Sequence, residues 1–147
     1  MKDLFVEIVL QTLLDCRQRG FYLLHDFVVM PDHIHLILTT TADTSLEKAV
    51  QMIKGGSSHR IGQTRQHSVP VWQKGFHEHW VRSEDDYQAR KHYIEWNPVK
   101  AGLASTPQQY PYSSASGRFP LDPFSMTSAA KAAVGVESGT AGLKPRP

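Results

Sequence analysis

Two histidines that flank a single apolar residue have the types and spacing to do chemistry. His33 and His35 lie in the mostly apolar run 30–38, which is typical of a buried β-strand. Side chains alternate between the faces of a strand, so the two imidazoles project from one face, roughly 6.5–7 Å apart along the strand, while Ile34 faces the core. Such a pair could hold a divalent cation. The alternative interpretation is two hydrogen-bonded surface histidines.

A second group of candidate residues lies on a helix further along the chain. Ser83 followed by three acidic residues is a strong helix start, and we predict a helix to about Trp96 because the residue before Pro98 avoids the helical region. Tyr93 and Asn97 are four positions apart and therefore share a face. An oxygen of Asn97 would add a third ligand to the two imidazoles. This mixed nitrogen and oxygen set suits Mg²⁺ or Mn²⁺.

Tyr93 is also a candidate nucleophile. One helical turn from the third ligand, its hydroxyl could attack a phosphate held by the metal. The alternative interpretation of Tyr93 is an ordinary core aromatic. Tyr87 is a rival for the role, but the residue four positions after it is Lys91, which is not a metal ligand. We therefore favour Tyr93.

A basic segment separates the two groups. Residues 48–77 contain no Asp or Glu, although the net charge of the whole chain is only +2. Such a block is usually a solvated face, but it is also the footprint of phosphate binding. The candidate phosphate contacts are Lys54, Arg60, Arg65 and Lys74.

The elements that must position these residues follow from hydrophobic spacing and turn residues. We predict a helix over 3–18, two strands over 21–30 and 33–39 that form an antiparallel hairpin, and a helix that begins near Thr44 or Ser45. Glycines interrupt this helix at 55–56, a polar loop follows over 63–70, and 71–82 is a strand. Residues 99–103 are expected to add a short helical turn. Residues 117–147 are rich in Ser, Ala, Gly and Pro and are expected to form a poorly ordered tail.

Length and composition exclude several classes of protein. A chain of 147 residues suggests one domain, and 40% apolar residues suffice for a modest core. The single cysteine, Cys16, excludes a disulfide framework and a cysteine-rich zinc site. No signal peptide or membrane-spanning run is visible, which favours a cytoplasmic protein with no membrane partner.

Other histidines and large aromatics have less specific interpretations. His77 and His79 share a strand face and are interpreted as structural residues or DNA contacts, because no ligand-like residue lies at a telling distance from them. Large aromatics in strands are usually core residues, but they can also stack on bases. The aromatics concerned are Trp72, Phe76, Trp80 and Trp96.

Four separated segments together resemble a known family. Residues 30–35 (Met-Pro-Asp-His-Ile-His) are followed by 71–79, by the helix start 84–87, and by 93–103, which begins Tyr-Ile-Glu-Trp-Asn-Pro. Their order and spacing resemble the IS200-type single-tyrosine transposases, above all the REP-associated branch. The resemblance covers roughly residues 5–114, which places a transposase domain in 1–116.

The resemblance implies a fold and an activity. The fold would be α+β, with a ferredoxin-like antiparallel sheet and helices on one face, and the partner would be single-stranded or hairpin DNA. His33 and His35 match the metal-binding histidines of the family, Asn97 matches the third ligand, and Tyr93 matches the nucleophile. The implied reaction is metal-dependent cleavage and transfer of a DNA strand through a 5′-phosphotyrosine link. The four basic residues would then contact DNA.

One departure from the family pattern is expected to matter. The family domain normally opens with a strand that lies between the histidine strand and the last strand, whereas here Met1 stands almost at the first helix. Without that strand both neighbours would expose unpaired backbone groups. The alternative function is therefore a truncated, non-catalytic DNA-binding remnant. In some relatives the tyrosine of one subunit serves the metal site of the other subunit, so the sequence leaves a homodimer as an alternative to a monomer.

Two other histidine motifs are excluded. A histidine-triad nucleotide hydrolase would need a third histidine two residues after His35. A hydrolase of the His-x-His-x-Asp-His type would need Asp and His where Ile37 and Leu38 stand.

Overall fold

The computed structural model describes residues 2–65, 72–127 and 131–137. The helices are α1 (Lys2–Gln18), α2 (Leu46–Arg65) and α3 (Glu84–Lys100), and the strands are β1 (Tyr22–Val29), β2 (His33–Thr40), β3 (His77–Trp80) and β4 (Lys131–Glu137). Short 3₁₀ helices occupy Pro107–Gln109 and Ser114–Ser116. Within the described ranges, no helix has both the length and the apolar character needed to cross a membrane.

The four strands form one antiparallel sheet in the order β1-β2-β4-β3. The predicted hairpin is present, with Val28 of β1 opposite His35 of β2. β4 lies between β2 and β3 and pairs with both, Gly135 being opposite His35 on one side and His77 on the other. The last strand of the described chain is therefore an inner strand of the sheet.

The expectation of a poorly ordered tail over 117–147 is wrong for its described parts. β4 occupies the position between the histidine strand and β3 that we expected to be empty, so the backbone groups of both neighbours are paired. Residues 117–127 dock on the other edge of the sheet, where Asp122 accepts two 3.0 Å bonds from Arg17 and one of 2.8 Å from the Leu24 amide. The remaining tail residues, 128–130 and 138–147, lie outside the described residues.

The sheet carries helices on both faces. Because β-strand side chains alternate, Leu36 and Val134 face α1 and α2, whereas Ile37 and Ala133 face α3. The predicted α+β antiparallel fold is confirmed, and α1 and α2 share one face as predicted. α3 packs on the opposite face, the one from which His33 and His35 project.

Two predicted helix boundaries are wrong. α2 continues through Gly55 and Gly56. Glycine at position 56 permits a close approach to α1, since a Cβ there would come 3.0 Å from Thr12 Cγ2. α3 continues past Pro98 to Lys100. It ends where Gly102, at φ 78°, donates to the Val99 carbonyl and the next amide donates to the Pro98 carbonyl, a Schellman motif.

The third strand is shorter than predicted. β3 comprises only His77–Trp80, whereas a strand was expected over 71–82. Residues 72–76 reach it as loop and turn, with Gly75 at φ 77°. Residues 66–71, which include most of the predicted polar loop, lie outside the described residues.

Candidate active site on the histidine face of the sheet

The two histidines of β2 lie side by side, as strand geometry predicts. The ring centroids of His33 and His35 are 4.8 Å apart. Nδ1 of His33 lies 2.8 Å from the Asp32 carboxylate, which can only accept, so this nitrogen carries the proton and Nε2 keeps its lone pair in the neutral ring. A carboxylate on the far nitrogen is a common partner of metal-binding histidines.

Burial keeps His35 uncharged. Burial, with smaller contributions from the nearby His33, Arg90 and His77, lowers the pKa of His35 to about 4. A neutral imidazole has a free ring nitrogen for a cation at neutral pH, because no proton competes for it. The ring of His35 packs over Gly135, where an added Cβ would lie 3.2 Å from its Nδ1 and Cε1.

Tyr93 reaches the histidine pair from α3. Its ring lies edge-on to His35, with centroids 5.4 Å apart, and it is 44% exposed, so its hydroxyl is accessible to a ligand. The Nζ atom of Lys100 lies 5.6 Å from the ring centroid of Tyr93. α3 therefore brings the candidate nucleophile to the candidate metal ligands within one chain.

Tyr87, the rival nucleophile, is part of the core between α3 and the sheet. Its ring stacks on Phe124 at 3.8 Å, and its hydroxyl donates to buried Asp26 at 3.5 Å. Burial raises the pKa of Tyr87, and the neighbouring carboxylates of Asp26 and Glu95 raise it further. These contacts favour a structural role, in agreement with the choice of Tyr93.

A cavity of about 490 Å³ joins these residues. Its walls come from β2, β3, β4 and α3. The lining residues are His33, His35, His77, Glu78, His79, Arg90, Tyr93, Ile94, Ala133, Val134, Gly135, Val136 and Glu137. Asn97, the predicted third ligand, lies one turn beyond Tyr93 and is not among the residues that line the cavity.

The donors at the cavity fit an open metal site with few protein ligands. The imidazoles of His33 and His35 supply nitrogen, and the amide of Asn97 is the predicted oxygen donor on α3. In the described part of the chain, no group of three or more His, Cys, Asp or Glu side chains is arranged to hold a metal. The remaining ligands of a bound ion would therefore come from Asn97, substrate oxygens or water.

Two of the residues predicted to contact DNA form hydrogen bonds within the protein. Lys54 donates to the carbonyls of Gln73 and Gly75, at 2.9 and 2.6 Å, and so holds the loop before β3. Arg60 donates to Thr12 and Asp15, which ties α2 to α1. Neither lines the cavity.

The other two residues predicted to contact DNA are Lys74 and Arg65. Lys74 is exposed near β3 but does not line the cavity. Arg65 ends α2, and its side chain lies outside the described residues. A DNA-binding role for these four residues stays a prediction.

The aromatic residues divide into core and surface. Trp72 donates to Ser57 at 2.9 Å and, like Phe76, packs against the larger core. Trp80 and Trp96 are 40% and 39% exposed. The exposed pair is therefore available to stack on bases, whereas the partly buried pair packs against the core.

Three polar or glycine residues of the cavity were missed from the sequence, and the partner of a fourth residue was missed. Arg90 precedes Tyr93 by three positions, so the helical spacing that selected Asn97 could have selected it too. Gly135 and Glu137 belong to β4, whose small residues hid a buried strand. His79 was noted without a partner, but its Nε2 lies 2.8 Å from the carboxylate of Asp86, seven residues later.

Comparisons with known proteins agree with the resemblance. The family model for IS200-like transposases matches residues 6–97. A REP-associated tyrosine transposase of Escherichia coli strain K12 is 32% identical over 112 residues, which are 72% of this chain and 64% of that protein. A putative REP-associated tyrosine transposase of Haemophilus influenzae strain Rd is 27% identical over 96 residues, 58% of this chain and 54% of that protein. The chain thus spans somewhat more than half the length of these curated relatives.

A solved structure shares the fold. It shows a REP-associated tyrosine transposase bound to a REP hairpin, with a TM-score of 0.62 and 26% sequence identity over 81% of this chain and 73% of that one. The family match covers more than half of the chain and includes His33, His35, Tyr93 and Asn97. The chain therefore belongs to the IS200-like transposase family, and its similarity is to the REP-associated tyrosine transposases.

Proposed function

We propose that this chain binds single-stranded or hairpin DNA and cleaves and transfers one strand through a covalent link to Tyr93, with Mg²⁺ or Mn²⁺ as cofactor. The observation that carries the proposal is the ring contact between His35 and Tyr93, with centroids 5.4 Å apart. It brings the only exposed tyrosine of α3 to the histidine pair. Similarity to a transposase solved with a REP hairpin supports DNA as the substrate.

The reaction exchanges one phosphate ester for another. Oη of Tyr93 forms a bond to the phosphorus of a DNA phosphodiester while the bond to the 3′ oxygen breaks. The tyrosine proton leaves to solvent, and the departing 3′ oxygen takes up a proton. A second 3′ hydroxyl can reverse the attack, because the phosphotyrosine link conserves the ester bond.

His33 and His35 would hold the cofactor, with Asn97 as the third protein ligand. When bound, a divalent ion would neutralise charge on the phosphate under attack and would favour loss of the tyrosine proton. The neutral state of His35 and the contact between His33 and Asp32 both suit this role. Since His35 and Tyr93 meet within one chain, we propose that a single chain assembles the site.

The test is covalent capture of labelled DNA. Single-stranded DNA with a REP hairpin is incubated with the protein and Mg²⁺ or Mn²⁺, with EDTA as a control, and denaturing gels reveal protease-sensitive adducts. Tyr93→Phe removes the proposed nucleophile, and Tyr87→Phe is the matched control because it removes a hydroxyl from the same helix. We expect an adduct that needs the metal and that only Tyr93→Phe abolishes.

Two other results of this assay would contradict the proposal. An adduct lost in Tyr87→Phe and kept in Tyr93→Phe would overturn the assignment of the nucleophile. A gel shift without any adduct would favour the alternative, a non-catalytic DNA-binding protein. That alternative was based on an incomplete sheet, and the pairing of β4 with β2 and β3 removes this argument for it.

A further inference from the structure

Arg90 lines the cavity from α3 and, within the described part of the chain, makes only a long ion pair with Asp86, at 3.9 Å. It lies one helical turn before Tyr93, and both side chains line the cavity opposite His33 and His35. Among the described residues that line this cavity, it is the only arginine or lysine. A permanent positive charge therefore lies in the cavity wall near the candidate nucleophile, whereas Lys100, whose Nζ is 5.6 Å from the ring centroid of Tyr93, does not line the cavity.

The guanidinium of Arg90 has an unused donor. Its Nε atom is buried and has no hydrogen-bond partner within the described residues. The nearest carboxylate, Asp86, is 3.9 Å away, which is too long for a hydrogen bond. Buried donors are normally paired, so a ligand oxygen that completed this one would be favoured.

Asp86 pairs with Arg90 only at 3.9 Å, and its carboxylate accepts closer hydrogen bonds from other groups. Its carboxylate is bonded by Nε2 of His79, at 2.8 and 3.0 Å, and by the amide of Arg82 at 3.0 Å. These bonds hold Asp86 in place at the start of α3. Arg90, whose side chain is 41% exposed, keeps most of its five donors for a ligand.

The positive charge of Arg90 reaches the histidine pair. Arg90, His33 and His35 line the same cavity. The planar guanidinium suits a phosphate, since it can donate two parallel hydrogen bonds to two of its oxygens. A phosphodiester bound between α3 and β2 would lie within the reach of both Arg90 and Tyr93.

We propose that Arg90 binds the non-bridging oxygens of the DNA phosphate that Tyr93 attacks. It makes and breaks no covalent bond. It holds the phosphodiester against Tyr93 and stabilises the negative charge that builds up on phosphorus-bound oxygens during the attack. This role rests on the proposed function and adds a phosphate-binding residue to the predicted set of His33, His35, Asn97 and Tyr93.

The first test compares rates of adduct formation on the REP-hairpin DNA. Arg90→Gln removes the charge, Arg90→Lys keeps the charge without the planar fork, and Arg19→Gln is a control that removes an equal charge from the exposed residue after α1. We expect a loss of about 100-fold for Arg90→Gln, a smaller loss for Arg90→Lys, and less than twofold for Arg19→Gln. Equal rates for Arg90→Gln and wild type would overturn the proposal.

The second test asks which phosphate Arg90 contacts. The cleaved position is mapped with the wild-type protein, and DNA with a neutral methylphosphonate at that position is bound to Tyr93→Phe proteins with and without Arg90→Gln. We expect Arg90→Gln to weaken binding of ordinary DNA at least fivefold and binding of the substituted DNA hardly at all. An equal loss on both DNAs would place Arg90 at another phosphate and overturn the proposal.

Failure of the proposed function would look different. In that case the wild-type protein forms no adduct at all. The salt dependence of DNA binding then still tests Arg90, because loss of one phosphate contact lowers the slope of log K against log salt by about one. An unchanged slope and affinity in Arg90→Gln, with an unchanged urea midpoint as evidence of folding, would overturn the phosphate contact.

Discussion

Gly135 lies directly opposite His35 in the β2–β4 pair, and the imidazole occupies the space where a side chain of Gly135 would be. An added Cβ would come 3.2 Å from both Nδ1 and Cε1 of the ring. On its other side Gly135 pairs with His77 of β3. The candidate metal ligand His35 thus packs directly on the backbone of β4 at Gly135.

Gly135→Ala should impair the site while the fold persists. The added methyl displaces the His35 ring by a few tenths of an ångström, and we expect adduct formation to fall roughly tenfold, since small displacements in active sites cost large factors in rate. The matched control is Gly55→Ala, where an added Cβ meets nothing within 4 Å. Nitrogen chemical shifts of the His35 ring, measured by NMR, check the displacement directly. Wild-type rates and shifts in Gly135→Ala would contradict the argument.

The two neighbouring glycines of α2 should respond differently to alanine. Gly55→Ala should raise the free energy of unfolding by roughly 0.5–1 kcal/mol, because alanine restricts the unfolded chain and favours helix. Gly56→Ala should raise the free energy of unfolding less than Gly55→Ala does, or should lower it, because the added methyl would meet Thr12 Cγ2 at 3.0 Å. Urea denaturation measures both. Adding Thr12→Ser removes the clashing methyl and should restore the gain, whereas equal gains from both single changes would argue against the close approach of α1 and α2.

The chain should depend on β4 for its stability. A protein that ends at Thr127 leaves β2 and β3 without their shared partner and exposes the core around Val134, which is 2% exposed in the intact chain. We expect the cooperative unfolding transition to disappear, since the loss is comparable with the whole stability of a small domain, roughly 5–15 kcal/mol.

Two substitutions within β4 complete that test. Val134→Asp should mimic the truncation by placing a charge in the core, and Glu137→Gln at the exposed end of the strand should not. Circular dichroism during urea denaturation separates these cases. An unchanged unfolding midpoint in the truncated protein would show that β4 is dispensable.

Asp26 should make stability fall as the pH rises. Burial raises the pKa of this carboxyl from 3.8 to about 6, although a 2.5 Å bond from Ser114 and the charge of Lys91 oppose the shift. Between these two values the folded protein binds more protons than the unfolded chain, so the free energy of unfolding decreases with rising pH in that window. His35 acts in the opposite direction, since its pKa in the folded state lies below the ordinary value.

Asp26→Asn isolates the contribution of this one group. The variant keeps the shape of the side chain and an oxygen that accepts from Ser114, but it does not ionise. We expect the stability of the variant relative to wild type to increase from pH 4.5 to pH 7, as measured by urea denaturation at both values. A constant difference would mean that Asp26 is not protonated preferentially in the folded state.

The candidate site was predictable from the sequence where its members depend on local periodicity. The period of two in a strand places His33 and His35 on one face, and the helical period places Tyr93 one turn from Asn97. The hairpin and the start of α3 at Ser83 likewise follow from short-range turn and capping signals, and the structure contains both. The same spacing would have selected Arg90, but a charged residue on a helix offers no signal of its own.

Tertiary structure alone decided how these pieces meet. The sequence of β4 has the small residues of a loop, and only the unpaired backbone of β2 and β3 makes it an inner strand. α2 continues through Gly56, where the absence of a side chain permits close packing on Thr12, and α3 continues past Pro98 to a Schellman motif at Gly102. The face on which α3 packs determines that Tyr93 and Arg90 meet His35. Local patterns therefore determined which side chains share a face, whereas long-range pairing and packing decided which faces come together, because backbone satisfaction and burial are properties of the whole fold.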